Sequence, residues 1–222
     1  MKQVRTTDDS EANKATTLSA YSQSKRDQII RGAVKVFLKY GYEGTSMNRV
    51  AQEAGVIKQT IYSHFTDKEG LFVAIIESLT LKHFEDQFGY GVDKFDNSLD
   101  PKIVLRNLAN VFLDRQKDKQ YIALMRTVIG ESNRFPELTQ LYTRTVIQRG
   151  ITILTTYFDL HAELKFKDTH AMARIFAGAI VNNIVLSEIL YGNEIMPFEA
   201  QRLIDQLIDL VLSYPGRQEN GT

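Results

Sequence analysis

The stretch Thr45–Phe72, TSMNRVAQEAGVIKQTIYSHFTDKEGLF, decides how the chain is read. Its apolar residues are few and regularly spaced. Met47, Val50, Ala51 and Ala54 share one helical face, Gly55 interrupts, and Ile61 and Phe65 share a second face. Recurrence at three and four residues is the helical period, so two short helices are predicted, joined by a tight turn at Ala54-Gly55-Val56. Thr45 or Ser46 stands where a hydroxyl caps the first of them. With Ile61 and Phe65 turned inward, Lys58, Gln59, Tyr62 and Ser63 must point away from the core. An ordinary solvated face would carry more acids and fewer hydroxyls. The outward set suits duplex DNA: lysine meets a guanine edge or a phosphate, glutamine an adenine edge, and hydroxyls meet phosphate oxygens. Two short helices about a glycine turn, the second presented to the major groove, are the helix-turn-helix plan. The plainer alternative is a polar face on a short exposed helix.

Upstream, Ser24 and Asp27 make an S-x-x-D helix start, followed by Ile30, Ala33, Val34, Phe37 and Leu38 on one stripe. Gly41 can end that helix in a left-handed turn. Residues 1–23 are polar and aperiodic and read as a disordered arm, although Lys2, Arg5 and Lys14 lie in it. Downstream, Thr66 and Glu69 form a second capping pair, opening a long helix with Leu71, Phe72, Ile75, Ile76 and Leu79 inward. Lys68 falls in its first turn, where a cation meets the positive end of the helix macrodipole, at a cost of roughly 0.3–1 kcal/mol if exposed. A DNA phosphate at that helix end would remove the conflict. The alternative is a lysine swung into solvent and paired with an acid.

Taken together, RDQIIRGAVKVFLKYGYEGTSMNRVAQEAGVIKQTIYSHFTDKEGLF, Arg26–Phe72, resembles the DNA-binding domain of TetR-type (tetracycline-repressor-like) transcriptional regulators. The match covers about residues 24–72 and rests on GYEGTS, VAQEAGV, TIYSHF and DKEGLF. The resemblance implies that Thr45, Ser46, Asn48 and Arg49 touch phosphate or a base from the second helix. It places Lys58, Gln59 and Thr60 where base contacts are made, and Tyr62, His64 and Lys68 where the backbone is gripped. Ile57 stands in place of a usual small or polar capping residue, Gln59 where glycine is common, and Ser63 where an aromatic is common. These departures bear on which operator is read, not on the mode of binding.

The whole chain fits a regulator better than an enzyme. Its 222 residues are 43% hydrophobic with 4 prolines and no cysteine, which favours helix and excludes disulfides, thiolate zinc sites and cysteine nucleophiles. His64, His83, His161 and His170 lack metal-ligand spacing, and no nucleophile elbow, phosphate loop or dinucleotide fingerprint is present. No cofactor and no metal are therefore expected. Net charge is zero, yet residues 1–68 hold 11 Lys and Arg against 7 Asp and Glu, leaving 16 against 20 for the rest. A basic amino-terminal part suits a polyanionic partner. No signal peptide is visible. The most apolar run, Ile175–Leu190, is broken by Asn182, Asn183 and Glu188, so it reads as a core helix rather than a membrane span, and the protein as soluble and cytoplasmic.

Beyond residue 88 the period lapses between Gly89 and Asn97, a linker or bend. Helices are then predicted from Asp100-Pro101, over Tyr121–Glu131, from Pro136 to about Phe158, over Asp168–Tyr191 ended by Gly192, and over Pro197–Tyr214. The fold class is all-α with about nine helices. The expected domains are an arm (1–23), a helix-turn-helix DNA-binding domain (24–70), a helical effector-binding and dimerisation domain (71–216) and a tail (217–222). RTVIGESNRFPELTQLYTRTVIQRG, Arg126–Gly150, resembles the branch related to AcrR and AefR, whose members often control efflux pumps and envelope functions.

Ala171, Ile175, Gly178, Ala179, Asn182 and Leu186 can line one stripe, and Leu203, Leu207, Leu210, Val211 and Tyr214 a second. Paired about a two-fold axis they would make a four-helix dimer interface; an internal core is the alternative. Phe84, Phe88, Phe112, Tyr121, Met125, Tyr142, Tyr157 and Phe158 could wall an apolar effector pocket, plain core being the alternative. Arg106, Arg126, Arg144, Asn182 and Asn183 are polar enough to orient its ligand. The reading is a homodimeric repressor on a palindromic DNA operator, released by a small, largely apolar effector. Two alternatives stand beside it: a helical small-molecule- or partner-binding protein with a vestigial DNA head, and a DNA binder with no effector.

Overall fold

The computed structural model describes residues 8–88, 99–161 and 164–213, with side chains described outside 8–19 and 82–88. The expected linker, the carboxy-terminal tail and Tyr214 lie outside the described residues, as do the first seven residues of the expected arm. Every regular element described is helical: α1 Asp8–Gly44, α2 Met47–Ala54, α3 Lys58–His64, α4 Lys68–Phe88, α5 Pro101–Asp114, α6 Lys119–Gly130, α7 Pro136–Tyr142, α8 Arg149–Leu160, α9 Thr169–Ile184 and α10 Ala200–Leu212. A π-helical stretch, Thr143–Gln148, joins α7 to α8 without a break, as the sequence predicted for one helix from Pro136. The ten segments thus form nine rods among the described residues. The chain divides into two compact units, with the division between Ile75 and Ile76, inside α4.

In the first unit, α1 is already helical at Asp8, the first described residue, well before the predicted Ser24. Asp8–Gln23 contains no proline or glycine to interrupt a helix. The residues from Ala20 to Ser24 are exposed, while Ile29 and Ile30 are buried. The predicted start therefore marks where the helix gains a core. Gly41 interrupts α1 with φ 69° and ψ −171°, a region open essentially to glycine alone, so the break is extended rather than left-handed helical.

Ser46 caps α2, accepting from the Arg49 amide at 3.3 Å. Gly55 closes α2 at φ 64°, ψ 39°, with Val56 N–H donating to the Ala51 carbonyl at 3.0 Å and Gly55 N–H to Gln52 at 3.3 Å. That paired pattern is a Schellman motif. The Gln28 amide on α1 donates to the carbonyl of Ala54 at 2.6 Å, covering the same helix end. Asp67, not the predicted Thr66–Glu69 pair, caps α4: its carboxylate accepts from the Gly70 amide at 2.8 Å.

In the second unit, Val104, Leu108, Tyr157, Phe158, Phe176, Ile180, Ile184, Ile204 and Ile208 form one core shared by α5, α8, α9 and α10. Asp100 caps α5 through the Lys102 amide at 2.8 Å, with Pro101 in the first turn as predicted. Asp168 caps α9 through the Ala171 amide at 2.8 Å. At the far end of α9 the left-handed residue is Tyr191, φ 56°, and not Gly192. Glycine is needed at 192 for another reason, because a Cβ there would sit 2.5 Å from the Leu186 carbonyl oxygen. The last helix starts at Ala200 rather than at Pro197, uncapped by its Glu199 side chain.

Gly32 fixes how closely α1 meets α2, since a Cβ there would lie 2.8 Å from Ala54 Cβ and 2.9 Å from Ala54 backbone atoms. A backbone neighbour cannot yield, so Gly32→Ala is expected to lose about 1–3 kcal/mol to overpacking, more than the roughly 0.5–1 kcal/mol of helix propensity it gains. Gly150→Ala, where nothing lies within 4 Å, should instead stabilise slightly. Thermal unfolding followed by circular dichroism is expected to move in opposite directions for the two variants.

Candidate nucleic-acid interface

Only one residue of α3, Ile61, is buried, and Phe65 follows it into the core at 5% exposure. Lys58, Gln59, Tyr62 and Ser63 are all exposed, and Thr60 and His64 are half-buried. The polar side of α3 thus stands outward as the sequence predicted. The Ser63 hydroxyl is turned back onto the Thr60 carbonyl at 2.8 Å, so its outward group is an acceptor lone pair. Ile57 occupies the capping position with no side-chain hydrogen bond and is 70% exposed.

On α2, Asn48 and Arg49 are exposed beside the capping Ser46. Arg49 is folded back. Its guanidinium donates to the Gly44 carbonyl at 2.5 Å and lies 4.6 Å from the centre of the Tyr40 ring. Thr45 is a correction to the expected contact set. It is 1% exposed and its hydroxyl donates to the Gly41 carbonyl at 2.7 Å, bracing the chain where α1 breaks. It has no outward face.

Lys68 follows neither sequence alternative in simple form. It is half-buried, donating to the Tyr42 carbonyl at 2.8 Å with its ammonium 4.3 Å from the centre of the Tyr42 ring. Its unfavourable place in the helix dipole is thus offset by a carbonyl and an aromatic face. Sequence reasoning missed Tyr42 and Gln28 in these supporting roles, because both act across 26 residues of chain. Asp67 was missed although it carries its own signal, an acid three residues before Gly70.

In the second unit the expected effector stripe is mostly core. Tyr121, Met125, Tyr142, Tyr157 and Phe158 are buried, at 7% exposure or less. Phe158 packs edge-on against Phe166 and Phe176, at 5.0 and 6.4 Å between ring centres. Phe112 is half-buried, and the side chains of Phe84 and Phe88 lie outside the described residues. One polar cluster sits within this region. The Tyr121 and Tyr142 hydroxyls are hydrogen-bonded, and burial raises both phenol pKa values, that of Tyr142 well above 10. Arg115 lies 4.7 Å from the Tyr121 ring centre, donates to the Leu79 carbonyl of α4 and pairs with Asp118 at 3.3 Å.

The five candidate ligand-orienting residues are dispersed. Arg106 pairs with Asp205, and its hydrogen bond holds that carboxyl below the usual carboxylate range. Arg126 donates to the Glu188 carbonyl and covers the Tyr191 ring. Arg144 is exposed. Asn182 and Asn183 line a groove of about 490 Å³ with Leu186, Met196, Phe198 and Leu203.

The expected dimer stripe on α9 is open, with Ile175 at 58%, Leu186 at 39%, Gly178 and Asn182 exposed and Ala179 half-buried. On α10, Leu210 is 60% exposed and Leu203 half-buried, whereas Leu207 and Val211 are 5% and 2% exposed. Those last two are corrected from interface to core. They lie on the inward half of an apolar face too wide to serve one partner. The run Thr169–Ile189 is long and apolar enough to cross a membrane, yet Met172, Phe176, Ile180 and Ile184 on its inner side belong to the core of the unit.

Residues 29–75 match the model of bacterial regulatory proteins of the tetR family, and residues 103–214 that of the AefR-like transcriptional repressor C-terminal domain. The HTH-type transcriptional regulator YerO of Bacillus subtilis is 26% identical over 192 residues, 82% of this chain. The chain spans 64% of the length of YerO and about a quarter of the length of other curated relatives. Among solved structures, a TetR-family transcriptional regulator from Mesorhizobium loti superposes with a TM-score of 0.67 at 25% identity, covering 86% of this chain and 96% of that one. The flavonoid-responsive regulator FrrA gives 0.65 at 27% identity, covering 86% and 95%. The chain belongs to the TetR family of bacterial regulatory proteins, with a carboxy-terminal domain of the AefR-like repressor type.

Proposed function

We propose that this chain is a homodimeric, one-component transcriptional regulator of the cytoplasm, a repressor that leaves a palindromic operator when a small, largely apolar effector binds. The observation that carries this reading is α3, whose one buried residue leaves Lys58, Gln59 and Tyr62 exposed as a single face. In the major groove, Lys58, Gln59 and Thr60 read base edges, while Asn48, Ser46, Tyr62, Ser63 and His64 hold phosphates. Lys68 contributes its positive charge to the phosphate backbone, and Arg49 reaches a phosphate by leaving Tyr40.

The open stripe of Ile175, Gly178, Ala179, Asn182 and Leu186, with Leu203 and Leu210, pairs with its copy. Two heads then reach successive major-groove turns about 34 Å apart. The effector acts through α4, whose residues are divided between the two units. It must bind the DNA-free state more tightly than the bound one. FrrA, a flavonoid-responsive regulator alike along most of this chain, supports an effector of that chemical kind, and the AefR-like match supports repression.

Fluorescence anisotropy with duplexes tiled across the DNA flanking the coding region, at two salt concentrations, tests the reading. One duplex bound far more tightly than the rest, by two subunits or a multiple of two, is expected; uniform weak binding would sink it. On that duplex, Lys58→Ala or Gln59→Ala should lose about 1–3 kcal/mol of discrimination at one base position, with unfolding unchanged.

Lys68→Met should behave differently. It removes the ammonium that donates to the Tyr42 carbonyl and covers the Tyr42 ring, and should lower the stability of the head by about 1–2 kcal/mol. It should also weaken binding to every duplex and reduce the salt slope by about one. Ile175→Glu should yield monomers in sedimentation and, by removing the second head, weaken operator binding by about a hundredfold or more.

A further inference from the structure

We propose that Ile57 reads the C5-methyl group of a thymine in the operator, and so sets a base preference that the polar residues beside it cannot. This rests on the DNA-binding reading above. Ile57 is 70% exposed, and the other exposed large apolar side chains described in the first unit are Tyr21, Tyr40 and Tyr62, each ending in a hydroxyl. Ile57 is thus the one large aliphatic side chain given to water there, and it directly precedes the exposed Lys58 and Gln59.

Its backbone is fixed, extended at φ −79° and ψ 150°, with its carbonyl accepting from the Thr60 amide at 3.0 Å. The side chain contributes no cap where serine, threonine, aspartate or asparagine would close an open amide. Neither core packing nor helix capping accounts for an aliphatic residue here. A protein partner is a poor alternative, because protein docking needs a contiguous apolar patch, and Ile57 is followed by polar Lys58, Gln59 and Thr60.

The major groove supplies the missing complement. Every base edge there shows donors or acceptors, but among unmodified bases only thymine shows a methyl group, which aliphatic side chains read by contact. Lys58 and Gln59 gain nothing from that methyl. A β-branched side chain suits the task, since few rotamers are open to it and little freedom is lost on contact.

The test replaces each thymine of the bound duplex, one symmetric pair at a time, by deoxyuridine, which differs only in lacking the methyl. Full-length protein is expected to lose about fourfold in affinity per contacted half-site, equivalent to about 0.8 kcal/mol for one buried carbon, at a single pair of positions. Ile57→Ala should bind the thymine and uracil duplexes alike at that pair, and Ile57→Val should keep most of the discrimination. Insensitivity of the unaltered protein to every replacement would overturn the assignment while leaving operator binding intact. A loss that Ile57→Ala retains would overturn it too, by giving the methyl to another residue. Failure to prefer any duplex would instead remove the DNA-binding reading, and this inference with it.

Discussion

The presentation of the proposed DNA-facing surface depends on the burial of one side chain, Ile61. Helix α3 has seven residues and no side-chain cap at its start. Isolated helices of that length do not hold their shape in water, since nucleation costs more than so few hydrogen bonds return. Its conformation is therefore imposed from outside. Ile61 at 0% exposure and Phe65 at 5% place it against a core that includes Phe37, Val50, Leu71 and Phe72. Burial of a side chain of that size contributes roughly 1.5–3 kcal/mol, enough to fix the helix. The directions of Lys58, Gln59 and Tyr62 follow from that anchor, because a rotation of the helix that turned them inward would expose Ile61 and forfeit it.

The turn before α3 is arranged to the same end. Gly55 in the left-handed region, two backbone bonds onto Ala51 and Gln52, and the Gln28 amide on Ala54 together close α2 where the chain reverses. Gly32 lets α2 lie close enough to α1 for that bond from Gln28 to form. Thr45 and Gly41 act at the opposite end of α2, one tying off a carbonyl and the other allowing the backbone to leave α1. None of these residues faces DNA on the proposed reading, yet each limits where α2 and α3 can point.

Features carried by short-range pattern were legible in the sequence, and those carried by distant pairing were not. Ser46, Gly55 and Asp100-Pro101 announce themselves because caps and left-handed turns require particular residues within a few positions. Asp67 did not, since Thr66 and Glu69 offered a competing cap one residue away, and only the path of the chain after Phe65 chooses between them. The bond from Lys68 to Tyr42 spans 26 residues, beyond any periodicity. On α10, Leu207 and Val211 share an apolar face with Leu203 and Leu210, and helical period alone cannot divide one wide face between a core and a partner. The aromatic stripe met the same difficulty, because the spacing that would wall a pocket is also the spacing that fills a core.

A shared device links the cations of the proposed DNA face. Arg49 lies over Tyr40, Lys58 over Tyr62 and Lys68 over Tyr42, with 4.6, 5.8 and 4.3 Å from cation to ring centre. Such contacts are worth about 0.5–1 kcal/mol at exposed sites. That is strong enough to narrow the wandering of a long side chain and weak enough to be exchanged for a phosphate. Pairing each cation with a carboxylate would hold it too, but would cancel the charge that draws a polyanion. Lys35, bridged to Glu53 at 3.3 Å on exposed surface, shows the other arrangement on the same unit, and it lies outside the proposed contact set. A tyrosine under Arg49 and Lys58 keeps the positive potential intact while reducing the side-chain entropy lost on binding. The hydroxyl of exposed Tyr62 can then meet a second phosphate oxygen, so one ring serves both to restrain Lys58 and to contact the backbone it approaches.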